Sequence, residues 1–463
     1  MKFQASEIVG ICQGELLQGS PDKTVSGFAI DSRQVKKDDL FIPFSGEHTD
    51  GHLYIKQAFD QGAAGTLHLL SRQPDQSVPE DFLIIGVRDT LDALQKLASV
   101  HRRRFNLPVI GVTGSSGKTT TKDFIAGVLG VRYKTLKTTG NLNNEIGLPL
   151  TILELEKEHQ VAVLEMGMSA SGEIRTLCEI AHPEYGVLTN IGEAHLELLG
   201  SIDAIAKAKG ELLDYLGSGG VAILNGDDPR LLSLGERFPG KVYYYGFNQG
   251  DIKGLQLSQR GEKTFFRARF PNNKKEWFES PLPGRESVSN ALAALTVGYI
   301  LELSLSEMQE GLKSAQSTAG RFQVLHNRDG IGIIDDSYNA NPSSVRAALR
   351  LLSELGGSKT VAVLGDMLEL GPGSREAHLS CGRYAAECGI GHLICVGELS
   401  RGFAEGALSA GLKAACCDTH NEALEELAKI SLKKDWFVLV KGSRGMRMEV
   451  VVRGLSGGEG VRH

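Results

Sequence analysis

One segment narrows the possible folds more than any other. The short apolar run Pro108-Val109-Ile110-Gly111-Val112 leads directly into Thr113-Gly114-Ser115-Ser116-Gly117-Lys118-Thr119-Thr120, and a helix-length stretch continues to Leu129. Glycines between a strand and a helix let backbone N–H groups close around phosphate oxygens, Lys118 adds a point charge, and Thr119 offers a hydroxyl to Mg²⁺. The helix after the loop contributes roughly half a positive charge at its N-terminus. Residues Thr113 to Thr120 therefore read as the grip on a nucleoside triphosphate. The general pattern asks for glycine five positions before Gly117; Val112 stands there, and the glycine is at Gly111.

Around this loop the chain alternates short apolar runs with helix-length amphipathic stretches, the pattern of a parallel sheet with crossover helices. In a middle block, Val161-Ala162-Val163-Leu164 ends at Glu165 and Tyr185-Gly186-Val187-Leu188-Thr189 ends near Asn190. In a last block, Ile331 to Ile334 ends at Asp335-Asp336 and Val361 to Leu364 at Gly365-Asp366. There too His392 to Val396 ends at Gly397-Glu398, and Trp436 to Val440 at Lys441-Gly442-Ser443-Arg444. Polar residues at the carboxyl ends of strands are where open α/β sheets bind ligands. Alternation from Thr264 to Phe278 around Pro271-Asn272-Asn273 predicts a hairpin, and a long helix is expected over about Val288 to Ile300. The first ~90 residues form a smaller mixed unit, with strand-like Phe41-Ile42-Pro43-Phe44, a helix near Tyr54 to Gln61 and a surface loop at Arg72-Gln73-Pro74-Asp75. Gly320-Arg321 marks a boundary. A chain of 463 residues exceeds one hydrophobic core, and three domains are expected.

A net charge of -6 with pI ≈ 6.1 argues against nucleic acid as a partner. The seven cysteines include no Cys-x-x-Cys pair, so they read as reduced thiols of a cytoplasmic protein. Polar residues at the start and the lack of any long apolar run predict neither secretion nor a membrane partner.

Several further residues carry possible chemistry, each with a plainer alternative. Glu165 at a strand end can ligate Mg²⁺ or simply be solvated. His195, in Asn190-Ile191-Gly192-Glu193-Ala194-His195, is a ligand or a structural loop histidine. Lys209, by itself, reads as a surface lysine. Asp335-Asp336-Ser337-Tyr338-Asn339-Ala340-Asn341-Pro342 either caps a helix starting at Pro342 or Ser343, or binds a ligand. Lys441-Gly442-Ser443-Arg444-Gly445 is an anion pocket or a basic turn.

Taken together these segments resemble the Mur ligase family over essentially the whole chain. The resemblance rests on the glycine loop, whose early Gly111 matches that family, on Gly140-Asn141-Leu142-Asn143-Asn144-Glu145-Ile146-Gly147-Leu148-Pro149, and on Glu165-Met166-Gly167. The His195 loop, Lys209, Asn290 in Ser289 to Ala294, Gly320-Arg321-Phe322 and the Asp335-Asp336 cluster also match. Asp335 to Pro342, Leu364-Gly365-Asp366-Met367-Leu368-Glu369-Leu370-Gly371 and Val440 to Gly445 are similar to the branch that adds D-alanyl-D-alanine to a UDP-N-acetylmuramoyl-tripeptide. The Asp-Asn-Pro-Arg motif of the diaminopimelate-adding branch is absent from the sequence.

The resemblance implies an α/β protein of three domains: a small mixed α/β nucleotide-sugar-binding domain (1–95), a central P-loop mononucleotide-binding domain with a mostly parallel sheet (96–317), and a C-terminal Rossmann-like α/β domain (318–463). It implies ATP and two Mg²⁺ ions, with Thr119, Glu165, His195 and Lys209 serving the metals and Lys209 converted by CO₂ to a carbamate. It places Asn290 near the adenine, Arg321 near the γ-phosphate and Asp336 near the ribose. Ser32, Arg33, Asp50, Asn144, Tyr338, Asn339, Asn341 and Lys441 are implied to face UDP-N-acetylmuramoyl-tripeptide or D-alanyl-D-alanine. A monomer is expected. Two other readings stay open at this point: a sibling ligase acting on a shorter peptide or a folate, and a nucleotide-binding regulatory protein that has lost ligation.

Overall fold

In a computed structural model of the chain, the described residues are 2–46, 49–73 and 77–457. The long sheets are built from strands buried on both faces. Every residue of Val109–Thr113, Val161–Glu165, Gly332–Asp336 and Thr360–Gly365 is buried, as near-continuous apolar runs in parallel sheets require.

A nine-stranded sheet runs in the order Lys275–Ser280, Lys263–Arg269, Ile252–Arg260, Lys241–Gly246, Val221–Asn225, Tyr185–Leu188, Val109–Thr113, Val161–Glu165, Thr135–Lys137. A six-stranded sheet runs Gln323–His326, Gly332–Asp336, Phe437–Lys441, Thr360–Gly365, His392–Val396, Ala414–Cys417, antiparallel only at its first pair. The third large sheet has five strands: Glu15–Gln18, Leu83–Val87, Gly65–Leu69, Asp39–Phe41 and Gly27–Ala29.

By compactness the chain falls into two units: Met1–Gly111 with Tyr133–Met168 and Gly172–Tyr185, and Val112–Arg132 with Ser169–Ser171 and Gly186–His463. The first holds the five-stranded sheet, whose Phe41, Ile84 and Phe82 pack with Ile55 and Ala58 of a neighbouring helix. It also holds the helix Thr90–Arg103, capped by Asp89, which accepts from the N–H groups of Leu91 and Asp92. The second unit holds the glycine loop and the six-stranded sheet. One face of that sheet buries Ile334, Leu364 and Leu439 against Phe403, and the other buries Val363 and Val438 against Val451.

Register in the six-stranded sheet sets two charged residues side by side. Asp336 lies opposite Lys441 in adjacent parallel strands, which brings both side chains to one face at one sheet edge. The strand therefore continues through Asp335 and Asp336, two residues beyond where the apolar run ends.

Other expectations shift for local reasons. The strand near Phe41 stops at Phe41, since Pro43 lacks the N–H that a ladder needs. The helix near Tyr54 starts as a 3₁₀ turn, Gly51–Tyr54, capped by Asp50, and becomes α-helical at Ile55–Asp60. The hairpin is Lys263–Arg269 with Lys275–Ser280, turning where Asn273 adopts φ 61°. The loop residues Pro74 and Asp75 lie outside the described residues. Five of the seven cysteines are buried and all are free thiols. Among the described residues no helix is long and apolar enough to cross a membrane.

Candidate functional site

The glycine loop is shaped by two glycines where any larger residue would be strained. Gly114 has φ +148°, and a Cβ there would sit 1.9 Å from Thr189 Oγ1; Gly117 has φ +76°, with Asn290 Oδ1 2.7 Å from where a Cβ would be. Such angles and approaches favour glycine. The end of the strand Tyr185–Leu188 then stitches the loop in place. Thr189 Oγ1 donates to Ser116 O at 2.6 Å, Ser116 N donates to Asn190 Oδ1 at 3.0 Å, and Ser115 N donates to Asn190 O at 3.0 Å. Thr189 N donates to Thr113 O at 3.0 Å. Lys118 Nζ donates back to Gly114 O at 2.8 Å. Thr119 and Thr120 open the helix Lys118–Gly130 and are nearly buried.

This loop forms one wall of a cleft of about 430 Å³, within the range of small-ligand sites. Ser115 to Thr120, His195 and Asn290 line it, and so do Arg321, Asp336, Asn339, Asn341 and Lys441. Lys441 Nζ pairs with Asp336 Oδ2 and donates to Asn339 O at 2.8 Å. Burial pushes the Asp336 carboxyl up, against the Lys441 charge, and pushes the Lys441 ammonium down. The Arg321 guanidinium lies 4.0 Å over the Tyr338 ring, and its buried Nε has no partner. Asn341 caps the helix Pro342–Gly356, accepting from Ser344 N at 2.9 Å. Tyr338 supports Arg321 and does not itself line the cleft. Asn290 Oδ1 accepts from Thr121 Oγ1 at 3.1 Å, tying its helix to the helix Lys118–Gly130 that follows the loop.

His195 sits on a loop anchored to the phosphate grip, where Ser115 Oγ donates to Gly192 O at 3.0 Å and accepts from Gly192 N at 2.8 Å. Its Nδ1 lies 2.7 Å from Glu369 Oε2, out of line for a hydrogen bond. The neighbouring imidazole holds the Glu369 carboxyl below its ordinary range. Lys209, read from its surroundings in the sequence as a surface lysine, is 1% exposed. The helix Ile202–Leu216 turns it inward, and among the described residues it has no ion pair. Burial pushes its ammonium well below the ordinary lysine range, and the Lys118 charge adds to that.

The remaining residues belong to the first unit. Glu165 is buried; Asn143 Nδ2 donates to its Oε1 at 2.8 Å, its backbone N–H donates to Thr138 Oγ1, and its Oε2 has no partner. Asn143 is therefore the asparagine that reaches Glu165. Asn144 instead accepts from the N–H groups of Ile146 and Gly147, a local turn. Ser32 Oγ donates to Gln57 Oε1, and exposed Arg33 pairs with Asp31, whose carboxyl it holds down at about 2. Burial pushes the Asp50 carboxyl up, but hydrogen bonds from Arg72 and His52 outweigh it and hold it low.

Sequence reasoning missed Asn143, Thr189 and Glu369 as parts of these arrangements. Thr189 directly follows the strand Tyr185–Leu188, and Asn143 and Glu369 lie inside the segments Gly140 to Pro149 and Leu364 to Gly371 that carry the family resemblance; those were the signals that could have found them. Asp227, which also lines the cleft, accepts from the N–H groups of Phe247, Asn248 and Gln249.

A glycine loop stitched to the next strand end, facing a buried lysine–aspartate pair across one cleft, is the arrangement of a P-loop protein of the α/β class. Residues 24–102 match the description "Mur ligase family, catalytic domain", 112–298 "Mur ligase middle domain" and 320–444 "Mur ligase, glutamate ligase domain". The chain is 40% identical over 461 residues, 98% of each chain, to the UDP-N-acetylmuramoyl-tripeptide–D-alanyl-D-alanine ligase of Bacillus subtilis (strain 168). Among solved structures it is similar to MurF from Acinetobacter baumannii (TM-score 0.90, 32% identity, 99% of each chain). It is also similar to MurF ligase from Thermotoga maritima in complex with ADP (TM-score 0.82, 29% identity, 94% of this chain and 98% of that one). The chain belongs to the Mur ligase family.

Proposed function

We propose that this chain is an ATP-dependent ligase joining D-alanyl-D-alanine to UDP-N-acetylmuramoyl-tripeptide in cytoplasmic synthesis of the peptidoglycan precursor, releasing ADP and phosphate. The observation that carries the reading is the end-to-end match to a ligase of that name, in a chain that keeps a complete phosphate grip. The ADP complex of the Thermotoga maritima relative supports ATP as the nucleotide. The proposed division of labour gives residues 1–95 the UDP-substrate, through Ser32, Arg33 and Asp50, and 96–317 the ATP phosphates. Residues 318–463 complete the nucleotide and D-alanyl-D-alanine sites, the latter through Tyr338, Asn339, Asn341 and Lys441, and the protein acts as a monomer.

A carboxylate is a poor electrophile and must first be activated. One carboxylate oxygen of the tripeptide attacks the γ-phosphorus, the bond to the β-phosphate oxygen breaks, and ADP leaves behind an acyl phosphate. The amine of D-alanyl-D-alanine then attacks the acyl carbon, loses a proton and expels phosphate as the amide forms. Lys118 and the loop N–H groups hold the β- and γ-phosphates, and Arg321, with its unpartnered Nε, offsets charge that grows on the transferring phosphoryl group. Asp336, near the ribose, is held by Lys441, and Asn290 stands beside the loop near the adenine. These contributions are positioning and charge neutralisation.

The residues fit a divalent ion of the Mg²⁺ kind. Mg²⁺ typically relies on one or two carboxylates plus substrate phosphates, and Glu165 keeps one carboxylate oxygen, Oε2, buried and unpartnered. Thr119, Glu165, His195 and Lys209 are the residues proposed to serve such ions. Bound there, such ions supply Lewis-acid neutralisation of the phosphates and the carboxylate. A carbamate on Lys209 is a further part of the proposal: burial favours the neutral amine that CO₂ requires, and the anionic product would face the Lys118 charge. Lysine mass analysis in ¹³C-bicarbonate tests that step.

A substrate panel tests the reaction. Phosphate release and UDP-muramoyl-pentapeptide, detected by mass, are expected with tripeptide plus D-alanyl-D-alanine and not with free amino acids. Turnover with a single amino acid, or ATP binding without any amide product, would overturn the reading.

A further inference from the structure

Two non-glycine residues with left-handed backbones face each other across the cleft. His195 has φ 60° and Glu369 has φ 62°, a conformation that carries a cost for residues with a Cβ and that points to function where it persists. Both are held from behind. Glu197 N donates to Glu369 O at 3.2 Å. Leu368 N donates to Ser443 Oγ at 2.8 Å, and Met367 N to His378 Nε2 at 3.0 Å. The loop after the strand Thr360–Gly365 thus presents one carboxylate to one imidazole, whose own loop is tied to the glycine loop at Ser115.

We infer that Glu369 is a positioning residue for His195: its carboxylate takes the Nδ1 side of the ring and leaves the Nε2 lone pair for the ligands of the cleft. An imidazole with two free nitrogens can present either tautomer, whereas a carboxylate at one nitrogen selects the proton position and raises the donor strength of the other. The 2.7 Å approach is already short enough, and a small ring rotation brings it into line. Because His195 and Glu369 come from different sheets, the imidazole is correctly set only when both segments meet. The inference rests on the reading that His195 serves a divalent ion in the cleft.

The test separates the carboxylate from the backbone strain. In Glu369→Gly the φ 62° conformation is relaxed and the carboxylate is gone. A positioning role predicts an unchanged or raised melting temperature, kcat lowered about 10–100-fold, and little change in KM for the UDP-tripeptide. Mn²⁺ binding with a non-hydrolysable ATP analogue, read by EPR, is expected to weaken about 10-fold, with partial rescue in Glu369→Asp. Wild-type kcat and Mn²⁺ affinity in a folded Glu369→Gly variant would overturn the inference. His195→Ala is the control. Loss of Mn²⁺ affinity there but not in Glu369→Gly removes only the role of Glu369; no loss in either removes the His195 reading as well.

Discussion

Lys441→Met isolates the pair at the edge of the six-stranded sheet. The two side chains are 2% and 4% exposed, so removing the ammonium strands a carboxylate with no water to solvate it. Such a carboxylate escapes by taking a proton, and this caps the penalty. Protonating an ordinary aspartate at pH 7 costs about 1.36 kcal/mol for each pH unit above ~3.9, or about 4 kcal/mol. Measured losses on breaking buried pairs are about 3–5 kcal/mol; with Arg321 still nearby, about 3–4 kcal/mol is expected. The sign comes from linkage. In the variant the folded carboxyl titrates above its unfolded value, so the folded state binds the extra proton and the penalty grows with pH, from about 2 kcal/mol at pH 5.5 to about 4 at pH 7. The chain has two tryptophans, so urea unfolding in a Trp277→Phe background tracks Trp436, next to the strand that carries Lys441. Adding Asp336→Asn should make the remaining loss small and independent of pH. A loss below about 1 kcal/mol at pH 7, or one equal at both pH values, would refute the burial argument.

Gly114→Ala must both adopt φ +148° and push Thr189 away; calorimetry should find ATP affinity down at least about tenfold, with stability lower by about 1–3 kcal/mol. Lys209→Met removes a buried cation. Because the unfolded chain holds that proton more tightly, wild-type stability rises with pH toward the lysine range, and melting in CO₂-free buffer should show the rise lost in the variant, which is inactive yet at least as stable near neutrality. A less stable variant with an unchanged pH slope would count against this. Arg321→Ala should lower turnover about 100-fold with circular dichroism and melting unchanged; unaltered turnover in a folded variant would remove its role.

The parts of this fold that could be read from the chain were those with short-range causes. Apolar runs ending in polar residues mark the buried strands, because a strand covered on both faces needs an unbroken apolar stretch. The glycine loop is legible because Gly114 and Gly117 answer a backbone demand that no other residue meets as well. Long-range effects were not legible. Lys209 looks like a surface residue until the helix Ile202–Leu216 turns it inward, and Asp336 meets Lys441 only because the strand near Phe437 inserts beside Gly332–Asp336. Asn143 and Asn144 are adjacent and alike in type, and only the fold decides that Asn143 reaches Glu165. Nothing local to Glu369 announces His195.

The acyl-phosphate route is tested most directly by the fate of the substrate's carboxylate oxygen. With UDP-N-acetylmuramoyl-tripeptide carrying ¹⁸O in its terminal carboxylate, turnover with ATP and D-alanyl-D-alanine should release phosphate containing one ¹⁸O atom for each amide formed. Amide formation accompanied by unlabelled phosphate would contradict it.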